Sequence, residues 1–280
     1  MGAQSAKLAS VDNQGEREKD MARTTKVLIL ASGQALTSLV AALSAAILAR
    51  VFTQADYATY RQMMLAYTFA APFVMLGLHQ ALFYFLPNEK ERVRGVLVEN
   101  LMLLGAGGLL LGLFLVAGGN HLLARRFHNP ALVPLLLLIA PFPLLLLPSM
   151  SLNACMISRG RTAQVAVYNI ASRLVMLLAV VIPCWIWPWP VTAAIGTVVG
   201  TGATTAVALG MMFRACQGGP WFPTRKGMIA QLRFGVPLGL STLIGTTSRS
   251  LDQVFVAAMC TPAAFAIFVN GAVEIPLIGI

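Results

Sequence analysis

Five side chains with chemistry to offer stand where water is scarce. Arg173 lies 11 residues into an apolar run that opens at Thr162, and Asn169 precedes it by one helical turn on the same face. Arg249 and Asp252 are three residues apart in another apolar run and share a face, while Glu274 sits well inside a third. A charge at bilayer depth costs roughly 3 kcal/mol or more unless it is paired or wet, so each is a functional candidate by default. Guanidinium stays charged and donates two parallel hydrogen bonds, which suits it to phosphate; Arg173 and Arg249 therefore read as an anion-binding pair. Asp252 or Glu274 is a candidate for a coupling proton or sodium ion. The structural alternatives are that Arg249 and Asp252 neutralise each other and that Arg173 packs against helix-end carbonyls.

These residues must be carried by membrane helices. Hydrophobic residues make up 58% and charged residues 11% of the chain, against roughly 45–50% and 25% in soluble domains. Several near-uncharged runs exceed the ~18 residues that mark a span, and runs this long exclude a transmembrane barrel, whose strands are short and alternate. Spans are expected at about 27–49, 58–86, 96–117, 131–156, 162–186, 191–213 and 234–258, with an eighth starting near Ala263. Pro72 should kink the second, and Pro134, Pro141, Pro143 and Pro148 should break the fourth, which is tolerated only where neighbours or a cavity satisfy the freed carbonyls. Gly196, Gly200 and Gly202 of the sixth invite close helix contact.

Residues 1–25 are polar and of mixed charge, with no apolar core of a cleaved signal, and read as a cytoplasmic tail. With that end inside, inner segments hold 13 Lys and Arg and outer segments four, which sets the orientation. The net charge of +10 is then a topology signal and does not imply nucleic acid. Arg61 and Glu99 lie near span ends and read as snorkelling side chains. His79 and Gln80 are candidates to line a cavity, and residues 122–127 form a candidate amphipathic helix lying on the bilayer. The four cysteines show no metal or redox spacing and read as small buried hydrophobes; Cys184 and Cys260 are the one pair considered for a disulfide.

The chain also repeats itself. Thr53-x-Ala55-x-Tyr57-Ala58-x-Tyr60 returns 208 residues later as Thr261-x-Ala263-x-Phe265-Ala266-x-Phe268. Six spans separate the copies, so the second copy enters from the same side, as in a parallel repeat of two six-helix bundles with a site between them. Four parts follow: the tail 1–25, a six-helix lobe 26–213, a cytoplasmic linker 214–233, and the start of a second lobe at 234–280. On this repeat the chain is expected to be C-terminally incomplete. Ala41, Ser44 and Ala66 stand at the first-copy equivalents of Arg249, Asp252 and Glu274, so the lobes are chemically unequal.

The stretch Leu48-Ala49-Arg50-Val51-Phe52-Thr53-Gln54-Ala55-Asp56-Tyr57-Ala58-Thr59-Tyr60-Arg61-Gln62 resembles the corner after the first helix in polysaccharide-synthesis flippases of the multidrug/oligosaccharidyl-lipid/polysaccharide exporter superfamily. The segment from Phe265 to Pro276 resembles the matching part of their second lobe. Gln54 replaces the usual proline, though Pro262 fits, and Ala264 stands where an acid is common. The resemblance implies an all-α polytopic protein with alternating access around a central cavity. It also implies movement of undecaprenyl-pyrophosphate-linked oligosaccharide to the outer leaflet of a bacterial inner membrane, for surface polysaccharide such as O-antigen, lipopolysaccharide or exopolysaccharide. A polysaccharide polymerase and glycosyltransferases are the implied partners. A multidrug exporter of the same superfamily is the alternative, disfavoured because such exporters rely on acidic cavity residues and this chain offers arginines. A membrane enzyme ranks lower, since the short outer loops carry no paired carboxylates and no His/Asp constellation. No catalytic residue, metal ligand or cofactor is expected.

Overall fold

The computed structural model describes residues 36–271, except for the side chains of 246–250. Among the described residues it is a bundle of helices with no strand. Arg249 and Glu274 therefore lie, as side chains, outside the described residues.

Helix α1 spans Leu36–Val51. A corner at Phe52–Thr53 leads into α2 (Gln54–Met75), where the Thr53 hydroxyl accepts from the Asp56 amide at 3.2 Å and caps the first turn. The second span breaks at Leu76 and Gly77, both left-handed (φ 41° and 69°), and continues as α3 (Leu78–Asn88). Thus the interruption falls one turn beyond Pro72, where Leu76 ends the turn by donating to the Pro72 carbonyl.

Helix α4 (Val93–Phe114) runs through a π-turn, Leu115–Gly119, into the short α5 (Asn120–Arg126). The fourth span is α6 (Leu132–Leu138), α7 (Phe142–Ser149) and α8 (Ser151–Ser158), bent by 50° at Ile139–Pro141. Proline in mid-helix removes a donor and clashes one turn back, which accounts for the bend. Helices α9 (Thr162–Ile186) and α10 (Pro190–Ala215) follow; α11 (Arg225–Met259) and α12 (Pro262–Gly271) complete the described chain.

Among the described residues five helices are long and apolar enough to cross a membrane, and the bent pair makes a sixth. The first and eighth spans are represented by the shorter apolar helices α1 and α12, which adjoin residues outside the described part. Side chains on the outward faces confirm the setting: Val199 is 63% and Ile244 72% exposed, which suits lipid and not water.

Helix association in lipid depends on close packing by small residues. Gly196 and Gly200 of α10 press on Ala179 and Met176 of α9, as the composition of the sixth span predicts. A tighter crossing joins α2–α3 to α11, where a Cβ on Gly77 would meet the Gly235 carbonyl at 2.6 Å and the Gly239 amide at 2.7 Å. The linker expected over 214–233 is shorter than its composition suggests, because α11 begins at Arg225, capped by Thr224.

Candidate functional site

A cavity of about 280 Å³ opens between α1, α2, α9 and α10. Two arginines line it: Arg173 from α9, about 16 Å along a helix of 25 residues, and Arg61 from α2, about 10 Å past the corner at 1.5 Å per residue. Among the described residues no carboxylate lines this space or pairs with either guanidinium. The remaining polar wall is hydroxylic, from Ser44, Tyr57, Tyr60, Thr68 and Thr197. Ser44, Thr68 and Thr197 donate to their own helices at Val40, Met64 and Ala193, and Thr197 is also hydrogen-bonded to Tyr60, so the oxygens of Ser44 and Thr68 are the ones left to accept. Two fixed cations beside acceptor oxygens, in an environment poor in water, can hold an anion whose remaining groups are hydroxyls.

Arg61, read from the sequence as a snorkelling side chain, is half-buried and lines the same cavity as Arg173. Its guanidinium lies close enough to Tyr57 and Tyr60 to act on both electrostatically. Reaching inward is possible because α1 ends at the corner and α9 crosses beside it, leaving the gap that Arg61 enters.

Other expected site residues are dispersed. Asn169 is half-buried on α9 one turn before Arg173 but does not reach the cavity. Asp252 is exposed on α11, where its carboxylate accepts from the Gln253 amide at 2.8 Å. Arg249 and Glu274 fall outside the described side chains, so the Arg249–Asp252 pairing stays an expectation. His79 and Gln80 do not line the cavity either; the His79 Nδ1 is buried without a hydrogen-bond partner among the described residues.

A second polar centre, at the opposite end of the bundle, carries far more than its position near a span end suggested. Glu99 is fully buried on α4. One of its oxygens accepts from Arg92 Nη2 (2.8 Å), the Thr224 amide (2.8 Å) and the Thr224 hydroxyl (2.7 Å). Gln231 reaches the other oxygen at 3.4 Å and also donates to the Val96 carbonyl at 3.0 Å. From there the network continues through Asn100, which donates to Gln231 and Leu78 and accepts from the Ser151 hydroxyl at 2.6 Å. A Cβ at Gly227 would collide with the Glu99 carboxylate, which explains glycine there. The first turns of α11 are thereby fastened to α3, α4 and α8.

At the corner end the two copies of the repeat touch. Tyr57 donates to Asn270 Oδ1 at 2.8 Å, and Gln54 to the Ala263 carbonyl at 3.2 Å. Phe52, Tyr57, Ala58 and Ala266 share one apolar cluster there.

Three of the four cysteines are buried and all four are free, as the sequence suggests, with Cys260 exposed. Cys155 of α8 and Cys216 at the end of α10 lie with sulfurs 3.0 Å apart. The hydrogen bond between the two thiols, with the Arg159 guanidinium beside them, pulls the Cys216 thiol below its usual range.

Fold and site together define a multi-pass helical membrane protein with a cationic, hydroxyl-lined cavity within its bundle. A family model described as polysaccharide biosynthesis protein matches residues 24–277, and the chain belongs to that family. Its role accordingly lies in polysaccharide synthesis or export. No curated protein and no solved structure gives a significant match.

Proposed function

We propose that the protein moves a lipid-linked oligosaccharide, carried on undecaprenyl pyrophosphate, from the inner to the outer leaflet of the bacterial inner membrane. The observation that supports this best is the cavity shared by Arg61 and Arg173, to which no described residue brings a carboxylate. Pyrophosphate is the part of such a substrate that most needs help in the membrane. Two guanidiniums supply charge and paired donors to it, while the hydroxyls of Tyr57, Tyr60 and Thr197 face the sugars. Arg249 belongs to the same anion site on this reading, with Asp252 or Glu274 taking a coupling proton or sodium ion. The N-terminus is assigned to the cytoplasm on the Lys/Arg bias. Partner polymerases and glycosyltransferases would sit on either side of the step. The protein itself makes and breaks no covalent bond on this reading.

Alternating access needs one end to open more readily than the other. The Glu99 carboxylate is buried among charged and neutral donors, and freeing it would leave a buried charge uncompensated at about 3–5 kcal/mol. The Tyr57–Asn270 bond is a single neutral one, worth about 1 kcal/mol. The Glu99 end therefore acts as a hinge and the corner end as the gate.

Complementation of a strain lacking its own lipid-linked oligosaccharide flippase tests the reading. Arg61→Ala and Arg173→Ala proteins that reach the membrane at normal abundance should fail to restore surface polysaccharide. Full restoration by both would remove the cavity from the mechanism. Restoration of cationic-drug resistance in place of polysaccharide would favour the exporter reading.

A further inference from the structure

A second cavity of about 280 Å³ lies among α2, α4, α6 and α7 at the corner end. Its wall is apolar, with Met63, Leu136, Ile139 and Phe142 among its residues, and of the described residues only Tyr67 and Arg126 bring polar groups to it. The Tyr67 ring packs edge-on against Phe142 at 4.7 Å, and its hydroxyl is shut off from solvent with no hydrogen-bond partner among the described residues. Arg126 is also part of an open depression just outside, completed by Gly118, His121, Leu122 and Arg125. One guanidinium thus stands at the junction between a closed apolar slot and an open basic surface.

The cause is local. Gly118 has φ 117° in the π-turn Leu115–Gly119, a conformation closed to most residues. That turn redirects the chain from α4 into α5, so Leu115 and Leu123 wall the slot while the last turn of α5 places Arg125 and Arg126 at its mouth. Both arginines are exposed, and neither pairs with a carboxylate of the described residues. The Arg61–Arg173 cavity shares no lining residue with this slot and lies against another face of α2.

We propose that the slot and its mouth form a binding site for an anionic phospholipid, one acyl chain entering the slot and the phosphate resting on Arg125 and Arg126. An apolar cavity of ~150 Å³ takes up a benzene-sized group and stays free of water, so this slot accommodates a stretch of hydrocarbon chain and rejects a polar occupant. A free phosphate ion would meet the arginines and gain nothing from the slot. The buried Tyr67 hydroxyl, lacking an acceptor among the described residues, finds one in an ester carbonyl of the lipid. Two basic residues at headgroup level should favour an anionic over a zwitterionic lipid about thirty-fold.

The test is native mass spectrometry of the delipidated full chain, titrated with phosphatidylglycerol and, separately, with phosphatidylcholine. One phosphatidylglycerol should be retained about thirty-fold more tightly. That preference should vanish in Arg125→Ala/Arg126→Ala and persist in Arg125→Lys/Arg126→Lys. Ala66→Phe, which fills the slot and keeps both arginines, should weaken both lipids about ten-fold or more. Equal retention of the two lipids by the unaltered protein would overturn the proposal, even if a variant failed to fold. Complete displacement of phosphatidylglycerol by inorganic phosphate would also overturn it, by showing a free-anion site. An Ala66→Phe protein that binds phosphatidylglycerol normally would show that no chain occupies the slot. None of these readouts involves transport, so they stand apart from the flippase reading.

Discussion

Glu99→Gln is the perturbation whose size the structure sets most tightly. The carboxylate is fully buried and accepts three bonds of 2.7–2.8 Å at one oxygen. Glutamine keeps the shape but removes the charge, so the Arg92 bond weakens from a charge-assisted contact to a neutral-acceptor one. Hydrogen bonds to charged groups contribute about 1.5–3 kcal/mol and neutral ones about 1 kcal/mol. Arg92 is itself 32% exposed in its side chain, so water takes up part of the loss, and about 1–2 kcal/mol remains. Glu99→Ala is harsher. It strands the Thr224 amide, the Gln231 side chain and the guanidinium together, at about 3–5 kcal/mol. For a chain of this size 1 kcal/mol moves the melting temperature by about 2–4 °C, so Glu99→Gln should lower it by about 2–8 °C. Thermal unfolding of purified protein in detergent, followed by tryptophan fluorescence, reads this directly. Pairing Glu99→Gln with Arg92→Ala should cost less than the sum of the two. A Glu99→Gln protein that melts with the wild type, or additive losses in the double variant, would refute the buried-anchor argument.

The other predictions concern backbone approach and thiol chemistry. Gly77→Val should lower the melting temperature or abolish accumulation, because its Cβ would strike Gly235 and Gly239 at a left-handed position; Gly105→Val, with nothing within 4 Å, should be tolerated. Equal behaviour of the two would mean that α11 does not cross at Gly77. Cys155 and Cys216 should be joined by the dithiol oxidant diamide, detected as a disulfide-linked peptide pair. The hydrogen bond with Cys155 and the Arg159 guanidinium pull the Cys216 thiol below its usual range, so the reaction should speed up as pH rises and level off at a lower pH than for an ordinary thiol. A pH-independent rate, or no linked peptide, would contradict the geometry.

The spans were the legible part of the sequence because they rest on composition and length. Thr162–Ile186 is found where its apolar run predicts, and the proline-rich fourth span bends where its prolines cluster. Crossings made by glycine were legible for Gly196 and Gly200, which lie at helical spacing on one span. The site was less legible, for a physical reason. Arg61 stands so near a corner that its depth alone suggests the interface; only the arrangement of α1 and α9 around it reveals the space it enters. Glu99 looked like a span-end charge, yet Arg92 seven residues earlier on the same helix face was a readable hint of a partner. Thr224 and Gln231 were invisible as its other partners, since they come from a segment more than 120 residues away. Cys155 and Cys216 meet for the same reason, through the packing of α8 against α10 and not through any spacing.

The claim on which the rest turns is that Arg61 and Arg173 together hold the substrate's pyrophosphate. Its most direct measurement is leaflet-to-leaflet movement of a fluorescent undecaprenyl-pyrophosphate-linked oligosaccharide in proteoliposomes. Wild type should be compared with Arg61→Ala, Arg173→Ala, Arg173→Lys and the double alanine variant. Losing a charge-assisted contact worth about 1.5–3 kcal/mol should slow each alanine variant about 10- to 100-fold. Arg173→Lys should recover little if both guanidinium donors are used, and the double variant should fall to the protein-free rate. Movement at the wild-type rate in the double alanine protein would contradict the account.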